Sequence, residues 1–341
     1  DHALFDCLRS NGTRALRPSA SGAEDTDATA VTDLISGGVA LGDNSTGSNA
    51  TNRSGGKTYA AWCLKAGGEP SADNTGDRTP TNNSVMKGGV AQTATDYLAA
   101  ATKYPTRMSI AAHGGFSILT YGDCGGSSKT IPHGLSTSLP DAGKPGIVLV
   151  KSTSARNWRM WHEDLTSERI LYVDTDEPEA NEPDSYGTVN TTIFTVDGGN
   201  GTSASGENHI AYCFARVPGM IGIGSYVGNG DADGTNVVID DGGSGFKPAF
   251  LLVKSFKRND GGTATGSWQI RDSIRNPYNP ADLVAEPDTS RTESAAASQP
   301  CDFLSNGFKP RTTGTNVNGS GWHYIYLAFA ESPFALNNRA R

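Results

Sequence analysis

The chain has 341 residues, of which 36% are hydrophobic and 42 are glycine, and this length and composition allow two or three domains built from turns and short strands. The sequence therefore predicts an all-β fold. Its formal net charge of -8 comes without a local cluster of Lys and Arg, and no apolar run reaches the roughly 18 residues of a membrane-spanning helix, so neither nucleic-acid binding nor membrane insertion is predicted.

The first predicted element is the second half of a β module, at residues 1–67. Its phrase DCLR, from Asp6, matches the phrase DSIR, from Asp272, in residue type. Its closing stretch, GGKTYAAWCLKAGG at 55–68, is related to a strand that recurs in the later modules. This stretch of sequence holds no counterpart of the first half of those modules.

An insertion is predicted at residues 68–114, because its first part is rich in Gly, Asn, Thr and Pro. The phrase AQTATDYLAAATKY, from Ala91, then predicts one short helix, since Ala, Leu and Lys dominate its end. We interpret the insertion as a linker or a packed arm.

Two complete modules follow, at residues 115–219 and 220–341. They contain nearly the same strand, KPGIVLVKS from Lys144 and KPAFLLVKS from Lys247, which we call the twin strands. A structural unit that needs neighbours to bury its surfaces is often repeated, whereas a catalytic motif is needed once. The repetition predicts tandem β-sandwich or jelly-roll-like modules with loops rich in Gly and Asp.

The last strand of each complete module, within 205–219 and 320–334, has one bulky and one small face, because successive side chains of a strand point to opposite sides. In the module at 115–219 the bulky side chains are Ile210, Tyr212 and Phe214, and the small ones are Ala211, Cys213 and Ala215. We expect the bulky face to fill a sandwich core. The small face should receive a layer from a neighbouring module, the insertion or another subunit.

Several phrases together resemble a known family. GSYVGNG, IPHGL, the twin strands, DFLSNGFKPR and YIYLAFAESPF look like the repeated β-rich modules of tail-fibre-like structural proteins of tailed bacteriophages, many of them marine. The resemblance covers nearly the whole chain outside 68–114. It implies a non-enzymatic virion protein on the exterior of the phage particle, in a tail fibre or another appendage. It further implies a homo-oligomer, often a homotrimer, that binds other virion proteins and contacts a host-surface glycan.

One loop carries oxygen-bearing side chains at the spacing of a calcium-binding loop. Asn229, Asp231, Asp233 and Gly234 are followed after five residues by Asp240, which resembles an EF-hand loop. The flanking segments are predicted strands rather than helices, and the final Asp is shorter than the usual Glu. The loop is a candidate calcium site, and the alternative is a solvated hairpin corner.

Tryptophans are the other candidate binding residues. Trp158 and Trp268 occupy corresponding places in the two complete modules, which indicates a core role, and His2 takes the same slot in the half module. Trp161 and Trp322 have no aromatic counterpart in the other complete module. They are therefore candidates for stacking on a sugar or another chain, and packing remains the alternative.

No arrangement of residues predicts an enzyme. The six histidines are scattered singly, and the sequence holds neither a GxSxG turn nor a phosphate-binding glycine loop. Five cysteines without a CxxC pair fit neither a disulfide framework nor a zinc site. The carboxylates of 174–184 invite comparison with a glycosidase, but a polar run with two prolines is typical of a solvated loop.

The sequence and the resemblance thus predict a structural and adhesive protein with no catalytic residue and no cofactor beyond the candidate calcium ion. Three alternatives stay open: a carbohydrate-binding module, a glycan depolymerase of the kind carried on tailspikes, and a capsid decoration protein.

Overall fold

The computed structural model describes residues 2–26, 29–35, 37–43, 51–53, 56–75, 83–92, 101–199, 201–295 and 299–333. Within these ranges the chain is almost entirely β, which confirms the predicted fold class. The helices are α1 (Thr315–Asn318) and two 3-10 turns, Ser10–Gly12 and Pro140–Gly143.

The strands are β1 (Arg14–Ala15), β2 (Asp25–Thr26), β3 (Val31–Ile35), β4 (Gly38–Leu41), β5 (Val85–Lys87), β6 (Val90–Ala91), β7 (Arg107–Ile110), β8 (Phe116–Tyr121), β9 (Lys129–Pro132), β10 (Ile147–Ser152), β11 (Arg159–His162), β12 (Arg169–Tyr172), β13 (Ala180–Asn181), β14 (Tyr186–Val189), β15 (Ile193–Val196), β16 (His209–Phe214), β17 (Ile221–Val227), β18 (Val237–Val238), β19 (Pro248–Arg258), β20 (Gln269–Asp272), β21 (Leu283–Val284), β22 (Ser294–Ala295), β23 (Cys301–Leu304), β24 (Gly307–Pro310) and β25 (Trp322–Ala330).

Each complete module is built from a large and a small sheet. With the half module counted as the first, the second module is 115–219 and the third is 220–341. In the second module the large sheet has the order β13-β12-β11-β10-β16-β8-β7-β5-β6 and the small sheet the order β14-β15-β9. In the third module the corresponding sheets are β17-β25-β19-β20 and β18-β24-β23. Small two-stranded sheets, β1-β2, β3-β4 and β21-β22, complete the described structure.

The twin strands occupy equivalent places, as the repeat predicts. Strand β10 lies between β11 and β16, and β19 lies between β20 and β25. The register is also the same: Val148 lies opposite Cys213, and its counterpart Leu251 lies opposite Ala328, the counterpart of Cys213. The repeated sequence therefore encodes a repeated sheet.

Both faces of the large sheets are covered, but in the opposite way to the one predicted. The small face of β16, with Ala211 and Cys213, packs in the sandwich core of its own module against β9 and β15. Ala328 of β25 lies in the corresponding core of the third module. The bulky side chains Ile210 and Tyr212 instead join a cluster that all three modules share. Small residues allow the small sheet to pack closely against the large sheet. Bulky residues fill the wider space between modules.

The described parts of residues 68–114 form a packed arm and not a free linker. Strand β7 pairs with β8, and β5 pairs with β7 in parallel, so the arm extends the large sheet of the second module. These strands have only three or four residues, which is too short for a clear alternation in the sequence. The helix predicted from Ala91 falls mainly on 93–100, outside the described residues.

An edge pairing recurs in all three modules and shows how they are related. The equivalent opposed pairs are Leu4 with Leu16, Met160 with Leu171, and Ile270 with Ala285. The residue two positions before the first member of each pair is His2, Trp158 or Trp268. These three residues occupy the slot recognised in the sequence, and the two tryptophans are fully buried.

The slot residues lie at the contacts between the modules. Trp158 Nε1 donates to the carbonyl oxygen of Arg17 in the half module, at 2.9 Å. Trp268 Nε1 donates to the equivalent carbonyl, that of Tyr172 in the second module, at 3.0 Å. His2 faces the backbone of the third equivalent residue, Glu286, although its Nε2 makes no hydrogen bond of good geometry. The three modules therefore contact one another in cyclic order around the shared core.

Candidate functional site

A turn that follows the edge strand of the half module binds the half module to the second module. Asp6 Oδ1 accepts hydrogen bonds from the backbone N–H groups of Leu8 (3.0 Å) and Arg9 (3.1 Å), and Oδ2 accepts from Arg9 Nε at 2.8 Å. Tyr212 of the second module donates its hydroxyl to Asp6 Oδ2 at 3.0 Å. Burial alone would lower the pKa of Arg9, but the charges of Asp6, Tyr212 and Glu24 and the hydrogen bond to Asp6 together outweigh burial and raise it.

The third module carries the same turn against the half module. Asp272 Oδ1 accepts from the backbone N–H groups of Ile274 (3.1 Å) and Arg275 (2.8 Å). Trp62 Nε1 of the half module donates to Asp272 Oδ2 at 3.1 Å, as Tyr212 does to Asp6. The Arg275 guanidinium lies 5.3 Å from the centre of the Trp62 ring, a cation–π distance. The sequence match between DCLR and DSIR thus marked two equivalent interface turns.

The turn of the second module departs from this pattern. His162 replaces the aspartate, and its Nδ1 accepts from the backbone N–H of Asp164 at 3.1 Å. The residue equivalent to Tyr212 and Trp62 is now Leu327, which has no hydrogen to donate. His162 Nε2 is buried without a partner, and burial together with Arg216 lowers the pKa of His162 to about 3. At this turn a neutral histidine and apolar packing thus replace the carboxylate contact of the other two interfaces.

The interface between the third and the half module, which we call the open seam, is the least complete of the three. The strand predicted at 55–68 belongs to no sheet within the described ranges. Its residues 57–65 are exposed, and no backbone hydrogen bond joins 57–66 to another described segment. Trp62 is held mainly by side chains of the third module, including Phe250, whose ring it meets edge-on at 5.8 Å.

The oxygen atoms of the candidate calcium loop are engaged within the protein. Asn229 Oδ1 accepts from the backbone N–H of Asp231 at 2.9 Å, and Asp231 Oδ1 accepts from the backbone N–H of Asp233 at 2.9 Å. Asp233 pairs with Lys309 at 2.8 Å, and Asp240 pairs with Arg216 at 3.1 Å.

The loop is not a hairpin corner, because β17 pairs with β25 in the large sheet and β18 pairs with β24 in the small sheet. It connects the two sheets of the third module, and its carboxylates are paired with cations. Lys309, with Arg311 beside it, lowers the pKa of Asp233 through hydrogen bonding and charge. Within the described ranges no group of three or more His, Cys, Asp or Glu side chains is placed to hold a metal ion.

The two candidate stacking tryptophans are partly buried, and each has a cation over its ring. Lys144 Nζ lies 5.7 Å from the centre of the Trp161 ring, and the Arg258 guanidinium lies 5.2 Å from the centre of the Trp322 ring. Trp161 also packs against the sandwich core of the second module, and Trp322 against that of the third. Trp161 lies in the second module and Trp322 in the third, where the Trp322 carbonyl oxygen accepts from the backbone N–H of Gly228, directly before the calcium loop, at 2.9 Å.

Among the residues that the structure describes, no helix is both long and apolar enough to cross a membrane. The fold and its interfaces define a tandem-repeat, all-β protein whose modules associate through their own sheets. The chain belongs to the family described as "Domain of unknown function (DUF7483)", whose family model matches residues 1–94 and 87–333. No curated protein and no solved structure matches the chain significantly.

Proposed function

We propose that the chain is a structural, non-enzymatic component of a phage virion, in a tail fibre or another appendage on the particle exterior, and that it works by assembly. The observation that carries this proposal is that the phrases resembling phage fibre modules are scaffold elements. The twin strands and YIYLAFA, in β25, lie inside the large sheets. DFLSNGFKP forms the hairpin β23–β24.

The lysine near the end of each twin strand, Lys151 or Lys254, faces inward, which supports a scaffold role. Lys254 is fully buried, and its Nζ donates to the carbonyl oxygens of Asp176 (3.0 Å), Ser255 (3.0 Å) and Gly266 (2.8 Å). Lys151, the equivalent residue, donates to carbonyl oxygens in the same manner. Burial lowers the pKa of each lysine to about 8. Buried cations that bond only to backbone carbonyls organise loops around the sheet.

The same reasoning applies to the histidine of IPHGL. His133 is fully buried, its Nδ1 accepts from the backbone N–H of Leu135 at 3.1 Å, and burial lowers its pKa to about 4. It therefore stays neutral near pH 7 and shapes the turn after β9. Contact with a host surface would fall to the exposed loops, because loops vary without disturbing the sheets.

Carbohydrate binding is the second candidate function, and one observation favours it. A surface depression of about 170 Å³ lies beside the largely exposed Tyr278 and is also lined by Lys247, Asn276 and Asn279. An exposed aromatic ring next to amides and a cation is a combination that binds sugars. A glycan array probed with the wild type and Tyr278→Ala tests this, and binding that Tyr278→Ala leaves unchanged counts against the depression.

The virion role is tested on particles of the phage that encodes the chain. Mass spectrometry of gradient-purified particles should detect the protein, and antibody labelling in the electron microscope should place it on the tail or an appendage. Labelling on the capsid would instead support a decoration protein, and absence from the particles would refute a virion role. Native mass measurement tests the homotrimer, and release of reducing ends from host polysaccharide would establish a depolymerase.

A further inference from the structure

We infer that the second module is the acid-sensitive unit of the chain: mild acid disrupts the packing of its sheets while the third module stays folded. The inference rests on three buried imidazoles, those of His133, His162 and His209, and does not depend on the virion role. All three lie within 115–219, and each is at most 1% exposed. They belong to different parts of the module, namely the turn after β9, the end of β11 and the start of β16.

Two of the imidazoles use a ring nitrogen as a hydrogen-bond acceptor, which requires the neutral form. His133 Nδ1 accepts from the backbone N–H of Leu135, and His162 Nδ1 accepts from that of Asp164, both at 3.1 Å. The hydrogen of neutral His133 then sits on Nε2, which lies 3.2 Å from the carbonyl oxygen of Asn190. A charged imidazolium carries a hydrogen on both nitrogens and accepts no hydrogen bond. Protonation of either ring therefore breaks the hydrogen bond that closes its turn.

The third imidazole, that of His209, is stacked in the interior of the module. Its ring lies on that of Tyr121, with 5.0 Å between the ring centres. Among the described residues, neither nitrogen of His209 has a hydrogen-bond partner. The charged ring would place two donors and a positive charge in the interior with no acceptor, which costs far more free energy than burying the neutral ring.

Charged groups around His209 act in both directions. The carboxylates of Glu207 and Asp123 favour the charged ring, whereas the cations of Lys151 and Arg156 oppose it. Burial is the largest influence, and it lowers the pKa of His209 to about 4. The packing of the ring, rather than one neighbouring charge, therefore keeps this histidine neutral.

The surroundings of His162 oppose its protonation as well. Burial, followed by the charge of Arg216, lowers the pKa of His162 to about 3. Asp164 Oδ2 lies 4.0 Å from Nδ1, but this carboxylate is partly exposed to water. Glu163 and Asp174 act in the opposite sense on stability, because burial raises the pKa of each and the folded state then holds their protons more tightly. Variants of the histidines separate the two effects.

The third module has no histidine at the equivalent places. The replacements are Ile239 for His133, Asp272 for His162 and Tyr324 for His209. At pH 5 an isoleucine and a tyrosine are neutral, and an aspartate paired with an arginine is charged, just as at pH 7. Mild acid therefore adds no charge at these places in the third module.

The pH window follows from the difference between the unfolded and the folded chain. An ordinary histidine has a pKa of 6.5, and each of these histidines has a lower pKa when folded. Their stabilising effect is thus complete above pH 6.5 and is lost as the pH falls toward the folded values. From pH 7 to pH 5 each histidine should raise the unfolding equilibrium constant about 20-fold. The three together give about 10⁴-fold, which is comparable with the whole folding equilibrium of a marginally stable domain.

Hydrogen–deuterium exchange followed by mass spectrometry locates the effect in the wild-type chain. The amides of β8, β10 and β16 should lose protection by at least about 10³-fold between pH 7 and pH 5, after correction for the intrinsic exchange rate. The amides of β17, β19 and β25 should lose less than about tenfold. Equal losses in the two modules, or an earlier loss in the third, would overturn the inference.

Neutral replacements test whether the three histidines carry the effect. His133→Asn and His162→Asn keep an oxygen that accepts the hydrogen bond of the turn, and His209→Phe keeps a ring that stacks on Tyr121. Each change should reduce the rise in the unfolding constant between pH 7 and pH 5 by about 20-fold, as measured by urea unfolding at both pH values. The triple variant should keep the protection of the second module at pH 5.

The matched control is His323→Gln in the third module. His323 is half-buried, and its Nε2 lies 2.7 Å from the side-chain oxygen of Asn259. This variant should keep the acid response of the wild type to within about threefold. Circular dichroism at pH 7 shows which variants are folded, and the single variants carry the test if the triple variant does not fold. Histidine variants that respond to acid like the wild type would refute the inference.

Discussion

Replacing Asp6 or Asp272 with alanine should destabilise the protein by clearly different amounts, although the two residues make the same local contacts. In both turns a carboxylate accepts two backbone N–H groups and an arginine Nε. The difference lies across the interface, where Asp6 meets a buried tyrosine of a complete sheet and Asp272 meets the exposed Trp62 of the open seam.

The expected magnitudes follow from what each substitution leaves behind. Asp6→Ala leaves the buried Arg9 with only Glu24 at 3.4 Å, and leaves the buried Tyr212 hydroxyl without its acceptor. Breaking a buried ion pair costs about 3–5 kcal/mol. Because Glu24 still pairs with Arg9, we expect Asp6→Ala to lower the free energy of unfolding by about 3 kcal/mol. Asp272→Ala leaves Arg275 paired with Glu293 at 2.7 Å and more open to water, so about 1–2 kcal/mol is expected.

Urea-induced unfolding followed by tryptophan fluorescence measures both values. The double variant Asp6→Ala/Arg9→Met should recover part of the lost stability, because it removes the buried charge of Arg9 that Asp6→Ala leaves without its main partner. An Asp272→Ala cost equal to or above that of Asp6→Ala would refute the conclusion that the seam is the weaker interface.

Further predictions concern buried polar groups and the candidate calcium loop. Burial raises the pKa of Asp288 to about 6, from an ordinary value of 3.8, so the folded state holds the proton more tightly and stability should fall as pH rises between these values. Asp288→Asn should therefore stabilise the protein at pH 7 more than at pH 4, as thermal melts at both pH values will show. Trp158→Phe and Trp268→Phe should each cost about 1–3 kcal/mol in urea unfolding, because a buried carbonyl loses its donor, and a cost below about 0.5 kcal/mol would contradict the ring of interfaces. Calcium at about 1 mM should leave Tm unchanged, since the side-chain oxygens of 229–240 already have partners within the protein. A calcium-dependent rise in Tm would instead support a calcium site in this loop.

The repeat, the all-β class and the equivalence of the twin strands were accessible from the sequence. Both copies of a repeated phrase must suit the same place in the fold, so comparing them shows which positions are equivalent. The same comparison gave the buried position that Trp158 and Trp268 share. The pairing of DCLR with DSIR was also visible as a sequence match. Its role as an interface turn was not, because the partner side chains Tyr212 and Trp62 come from distant parts of the chain.

The use of the two strand faces could not be predicted correctly, because alternation shows that faces differ but not which neighbour covers each. The small sheets that cover Ala211 and Ala328 consist of strands of two to four residues, below the length at which a period is visible. The strand predicted at 55–68 has no partner strand among the described residues, for a related reason. Its alternation is that of a central strand, but a sheet also needs partner strands, and a pattern within one segment does not supply them.

The differences among Tyr212, Trp62 and Leu327 have an evolutionary consequence. In a homotrimer made of identical chains, one mutation alters every contact around the axis at once, so each change must be tolerated in triplicate. Fusing the three parts into one polypeptide removes that restriction. Each junction in this protein is therefore free to diverge separately, so that one can be strengthened while another is specialised.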